Sequence, residues 1–130
     1  VDELAKIMVV DDEAEVRRAV RRMLEKEGHE VSEAEGGREC LEKLRGERPD
    51  LVLLDVMMPD MEGWDVCRKI KEDEETKDVI VAMLTIRTED KDKVTSLDYA
   101  LADWHINKPF KGESLPETVE WLLQRPIRRR

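Results

Sequence analysis

Cysteine is scarce in this chain. There are two in 130 residues, Cys40 and Cys67, and no histidine or cysteine lies at metal-ligand spacing around them. That argues against a disulfide-stapled scaffold or a thiolate metal site and suits a reduced, cytoplasmic protein. Long apolar runs are also missing. The longest are five or six residues, far below the roughly 20 a membrane span needs. Val1-Asp2-Glu3-Leu4 has no basic stretch followed by an apolar one, so it does not read as a secretory signal. Positive charge is in deficit: 23 basic against 32 acidic residues give a net charge of −9, and the last three residues are all arginine. So acidic a body argues against direct nucleic-acid contact, and no membrane partner is expected either. No internal repeat stands out. What remains, 40% hydrophobic residues in a single domain's length, suffices for one core.

Apolar runs alternate with amphipathic segments. Lys6-Ile7-Met8-Val9-Val10 reads as a buried strand. Helical spacing follows over 14–27, with Val16, Ala19, Val20, Met23 and Leu24 on one stripe and Gly28 as a C-terminal stop. An edge strand is expected over 29–34, with His29 at its exposed start. A helix over 37–45 turns Cys40, Leu41 and Leu44 inward and ends at Gly46. Leu51-Val52-Leu53-Leu54-Asp55 is a strand apolar on both faces, followed by a loop, Met58-Pro59-Asp60-Met61-Glu62-Gly63, rich in turn residues. Helix is predicted over 64–72, burying Val66, Cys67 and Ile70, and a central strand over 79–84. A weaker helix over 90–102 and a short strand over 104–107 come next. A last helix opens at Ser114-Leu115-Pro116-Glu117 with a capping-box pattern and buries Leu115, Val119, Leu122 and Trp121. Five βα units with strands lacking a polar face require helices on both sides, hence an α/β, doubly wound parallel sheet. In such sheets ligands bind beyond the C-terminal strand ends.

The residues at those ends share a chemistry. The first strand ends in Asp11-Asp12-Glu13, the third in Asp55, the fourth in Thr85 and the fifth in Lys108-Pro109. If strands one and three are neighbours, Asp11, Asp12 and Asp55 converge and repel one another. A divalent cation relieves that repulsion, and an all-oxygen ligand set suits Mg²⁺. A carboxylate can also act as a nucleophile toward phosphorus. Phosphoryl transfer then needs positioning and charge neutralisation, which the Lys108 ammonium and the Thr85 hydroxyl can supply. Helix capping by Asp12 with Glu15 is the plainer reading of the first pair, but it leaves Asp11 unexplained.

Val9-Val10-Asp11-Asp12-Glu13, Leu53-Leu54-Asp55-Val56-Met57-Met58-Pro59, Gly63, Leu84-Thr85 and Lys108-Pro109-Phe110 together resemble the receiver domain of two-component response regulators. Spacing agrees as well as order: 43 residues from Asp12 to Asp55, 30 on to Thr85 and 23 on to Lys108. The resemblance covers about residues 5–124. It implies a three-layer α/β/α, flavodoxin-like fold with strand order 2-1-3-4-5, with 1–125 as the phosphoacceptor domain and 126–130 as a basic tail or the start of a linker. Asp55 would accept a phosphoryl group from a sensor histidine kinase or phosphotransfer protein. Asp11, Asp12, Asp55 and the backbone carbonyl of Met57 would hold Mg²⁺. Lys108, in a cis Lys108–Pro109 pair, would bind the phosphoryl group, and Thr85 would move toward it. The helix over 90–102, the fifth strand and the last helix would form the output face toward a downstream protein, or the face of a weak dimer. The chain would be a single-domain regulator or a fragment cut at a linker.

Three positions depart from the family pattern. Ile86 follows the switch threonine where a small residue is usual, which narrows access and slows phosphorylation or its reversal. His105 takes the place of the switch aromatic, with Trp104 beside it. Leu101 replaces a glycine before Ala102-Asp103, so the preceding helix is expected to end differently. Rival readings remain open. An aspartyl-nucleophile phosphatase would carry a second acid where Met57 stands. A flavodoxin-like cofactor binder would need a phosphate-friendly first loop in place of Asp11-Asp12-Glu13, and a dinucleotide fold a Gly-x-Gly-x-x-Gly after the first strand. An inert binding module would not need the acid set at all.

Overall fold

The computed structural model describes residues 5–85, 101–107 and 114–124, with the side chains of Thr85 and Asn107 outside that description. The expectations for Ile86, for the helix over 90–100, for Lys108-Pro109-Phe110 and for the 126–130 tail lie outside the described residues. Leu101 and Ala102, expected as the end of that helix, are described and are not helical, Leu101 having a left-handed φ that a right-handed helix cannot take. The elements run β1 (Lys6–Val10), α1 (Ala14–Glu25), β2 (Glu30–Ala34), α2 (Gly37–Glu47), β3 (Leu51–Asp55), α3 (Gly63–Glu72), β4 (Ile80–Thr85), β5 (Trp104–Asn107) and α4 (Ser114–Gln124). The five strands form one sheet in the order β2-β1-β3-β4-β5, every pair parallel, as expected.

Strand alternation sorts the core into two layers. Met8, Val10, Val52, Leu54, Val81 and Met83 pack with Cys40, Leu44, Val66, Cys67 and Ile70 of α2 and α3 on one face. Ile7, Val9, Leu51, Leu53, Ile80, Ala82 and Leu84 pack with Val20 and Leu24 of α1 and Leu115, Val119 and Leu122 of α4 on the other. The continuous apolar runs of β1, β3 and β4 are therefore two interleaved period-2 faces, each covered by helices. Both cysteines are fully buried core residues, and burial pushes their thiols up to about 12.

Several local expectations change. Ala19 is exposed; Arg17 occupies the buried turn instead, because its guanidinium finds polar partners there. His29 is buried rather than exposed, with its Nδ1 accepting a hydrogen bond from the Ala5 N–H (3.4 Å). Helix α2 continues through Gly46 to Glu47 and stops at Arg48, whose φ of 49° is left-handed. Trp121 is 47% exposed and meets Trp104 edge-to-face at 5.0 Å, so it lies on the surface of α4 rather than in the core. Leu101 adopts φ 65°. The backbone thus keeps the left-handed conformation suited to glycine even though a leucine stands there.

Candidate acidic functional site

Sheet register brings the acids together. Val10 pairs with Leu54 across β1 and β3, so Asp11 and Asp55 leave neighbouring strands at the same level. Asp55 pairs with Leu84 across β3 and β4, which puts the Thr85 backbone one residue further along. Asp11 is fully buried, Asp55 is 7% exposed and Asp12 is exposed. Each of the three offers a carboxylate oxygen, and these oxygens all lie within 4.8 Å of one another. Hard oxygen donors on two rigid strand ends, one side open to solvent, fit a small divalent cation that keeps some of its waters, as Mg²⁺ does.

The framework around the acids is built mainly from backbone contacts. Asp11 Oδ1 accepts the Glu13 N–H (2.9 Å), turning the chain into α1. Arg17, buried on α1, donates Nη1 to the Asp11 carbonyl (2.7 Å) and Nε to Glu33 (2.8 Å). Arg21 also donates to Glu33 (3.0 Å). The Arg17 hydrogen bond, with that of Arg21 and the charges of both, holds the Glu33 carboxyl below the usual range despite partial burial. At β3, the Val56 N–H donates to the Leu84 carbonyl (3.1 Å), and the Gly63 N–H donates to the Val56 carbonyl (2.7 Å). A Cβ at Gly63 would fall onto the Asp55 carbonyl oxygen, so only glycine lets α3 begin this close to the end of β3.

Two contacts between elements were not apparent in the sequence, the first beside the acids and the second at the opposite, N-terminal end of β4 and β5. Asp60, read as a turn residue, accepts the N–H groups of Gly37 (3.1 Å) and Arg38 (3.0 Å) and so caps α2 from another loop. The missing local cap at Gly36-Gly37 was the available signal. Lys71, partly buried, donates to the Val79 carbonyl (2.6 Å) and to Asp103 (2.7 Å), whose carboxylate also accepts the Val81 N–H (2.8 Å). Nothing in the one-dimensional pattern marked that pair. His105 stacks beside Trp104 on β5 at 6.2 Å.

Residues 7–120 match the family described as the response regulator receiver domain. The chain is 41% identical over 120 residues to the response regulator MprA of Mycolicibacterium vanbaalenii, covering 92% of this chain and 51% of that protein. It is 42% identical over 120 residues to the transcriptional regulatory protein ResD of Bacillus subtilis, covering 92% and 48%. The chain thus spans about half the length of these relatives. Among solved structures, the chemotaxis response regulator CheY4 of Vibrio cholerae superposes with a TM-score of 0.87 at 32% identity, covering 92% of this chain and 99% of that one. The BeF₃-activated DrrB receiver domain gives 0.83 at 32%, covering 95% and 100%. No helix of the described residues is long and apolar enough to cross a membrane. With strand order, acid placement and these likenesses in agreement, the chain belongs to the receiver domains of two-component response regulators.

Proposed function

We propose that Asp55 is the phosphoacceptor of this receiver domain and that Asp11, Asp12, Asp55 and the Met57 carbonyl hold Mg²⁺. The observation that carries this reading is the approach of three carboxylate oxygens, from two strand ends, to within 4.8 Å of one another. A bound Mg²⁺ neutralises part of the negative charge of these carboxylates and of an incoming phosphoryl group. A carboxylate oxygen of Asp55 attacks the phosphorus of a phosphohistidine on a sensor kinase or phosphotransfer protein. The new O–P bond forms as the N–P bond breaks, and the imidazole leaves with the electron pair and is protonated by solvent. Attack of water on the acyl phosphate later releases inorganic phosphate and restores the carboxylate. The same chemistry allows self-phosphorylation from small donors and self-dephosphorylation.

In this proposal Lys108 pairs with the phosphoryl oxygens and Thr85 moves to donate to one of them. Roughly two added negative charges then shift the population of the 90–102 segment, β5 and α4, with His105 following Thr85. The exposed Trp104 and Trp121 on β5 and α4 supply apolar area on that output face for a downstream protein, or for a weak dimer in a protein otherwise monomeric. The setting is cytoplasmic, with no direct nucleic-acid or membrane contact by this domain. The test is incubation with Mg²⁺ and acetyl phosphate, followed by intact mass. The expected result is a single labile phosphoryl adduct that does not form when chelator is present from the start and is absent in Asp55→Asn. Continuous release of phosphate from unrelated phosphoesters would favour a phosphatase, and a full adduct on Asp55→Asn would refute the assignment.

A further inference from the structure

The stretch from Asp55 to Gly63 carries the Met57 carbonyl, and its ends are fixed to the sheet and to α3. The Val56 N–H is held by the Leu84 carbonyl (3.1 Å), and the Gly63 N–H by the Val56 carbonyl (2.7 Å). Between these points the loop is tied to α2. One oxygen of Asp60 accepts the Gly37 N–H (3.1 Å) and the other the Arg38 N–H (3.0 Å). The N-cap residue of α2, Gly36, has no side chain with which to cap its own helix. Its hydrogen atoms leave the space the carboxylate uses: a Cβ there would lie 2.8 and 2.9 Å from the two Asp60 oxygens. Hydrogen bonds from the α2 backbone hold the Asp60 carboxyl below its usual range, so the cap is a charged one.

Resting on the cation site proposed above, we infer that Asp60 is a positioning residue for that site: its carboxylate, seated on the first turn of α2, fixes the loop on which Met57 presents its carbonyl. Asp60 touches neither the cation nor the phosphoryl group. It acts as the outer supports of metal sites act, by limiting where a ligand can stand, and loss of such a support typically weakens metal binding by about 10–100-fold. A helix cap with no such role lowers stability alone.

The experiment is calorimetric titration of the whole chain with Mg²⁺, well below the melting temperature, for the wild type, Asp60→Ala, Asp60→Asn and Gly36→Ala. Asp60→Ala should bind Mg²⁺ about tenfold more weakly. Asp60→Asn should fall between the wild type and Asp60→Ala, since its single amide oxygen can keep one of the two N–H contacts while its NH₂ group faces the other donor. Gly36→Ala leaves Asp60 in place but displaces its carboxylate, and should weaken binding in the same direction; it carries the test if Asp60→Ala fails to fold. A lower melting temperature with unchanged Mg²⁺ affinity in Asp60→Ala and Gly36→Ala would overturn the inference and leave Asp60 a cap only. A wild type that binds no Mg²⁺, or an Asp12→Ala variant that binds it undiminished, would instead remove the cation site itself and the inference with it.

Discussion

Replacing Leu101 by glycine and by alanine tests the backbone at the entrance to β5. At φ 65° a Cβ crowds the neighbouring carbonyl, at a cost of about 1–2 kcal/mol. Alanine keeps that cost, and glycine removes it. Glycine gives back about 0.5–1 kcal/mol as extra freedom of the unfolded chain. Both variants lose the leucine side chain beyond Cβ, which is 43% exposed as a residue and only partly packed, so that loss cancels in the comparison. Leu101→Gly should therefore be more stable than Leu101→Ala by about 0.5–1 kcal/mol. At about 3–5 °C per kcal/mol for a domain of this size, the difference is about 2–5 °C in melting temperature. Denaturant melts and thermal scans of the two variants read it directly. In any ordinary helical or extended conformation the sign reverses, because only glycine's entropy term remains. An alanine variant as stable as the glycine variant, or more so, would refute the reasoning.

Further predictions concern the site's supports. Gly63→Ala places a methyl group on the Asp55 carbonyl, so α3 must retreat from β3; a loss of about 1–3 kcal/mol in denaturant melts is expected, with slower labelling by acetyl phosphate. Glu33 has its carboxyl held low first by Arg17 and then by Arg21. A folded value below the unfolded one, which is about 4.3, gives stability that is present above that pH and lost as pH falls through the folded value. Melts at pH 7 and below pH 4 should thus differ less for Glu33→Gln than for the wild type. Ile86→Ala should shorten the lifetime of the phosphorylated form, or speed its formation, measured by the decay and growth of the intact-mass adduct.

Much of this was legible in the sequence because burial writes itself into period. Apart from Lys6 at the start of β1 and Asp55 and Thr85 at the ends of β3 and β4, these strands are apolar at every position, which only a sheet covered on both faces requires, and the acids that follow β1 and end β3 stand out against those runs. Strand register then turns their separation along the chain into proximity. The changed expectations share a different cause. Arg17, His29 and Asp60 satisfy polar groups across elements, and neither their partners nor their burial can be read from spacing along one helix or loop. Arg48 ends α2 where Gly46 seemed the natural stop, because its amide reaches the Leu44 carbonyl (2.8 Å) and an αL residue there completes the turn. Leu101 shows the opposite case, in which the residue type changed and the backbone conformation did not.

The most direct test of the acidic site asks which oxygen carries the phosphoryl group. Borohydride reduces an acyl phosphate and turns the modified aspartate into homoserine, which peptide mass spectrometry locates by position. After reaction with acetyl phosphate and Mg²⁺, homoserine is expected at position 55 and nowhere else. Homoserine at position 11 or 12, or none while the intact protein carries phosphate, would contradict the account.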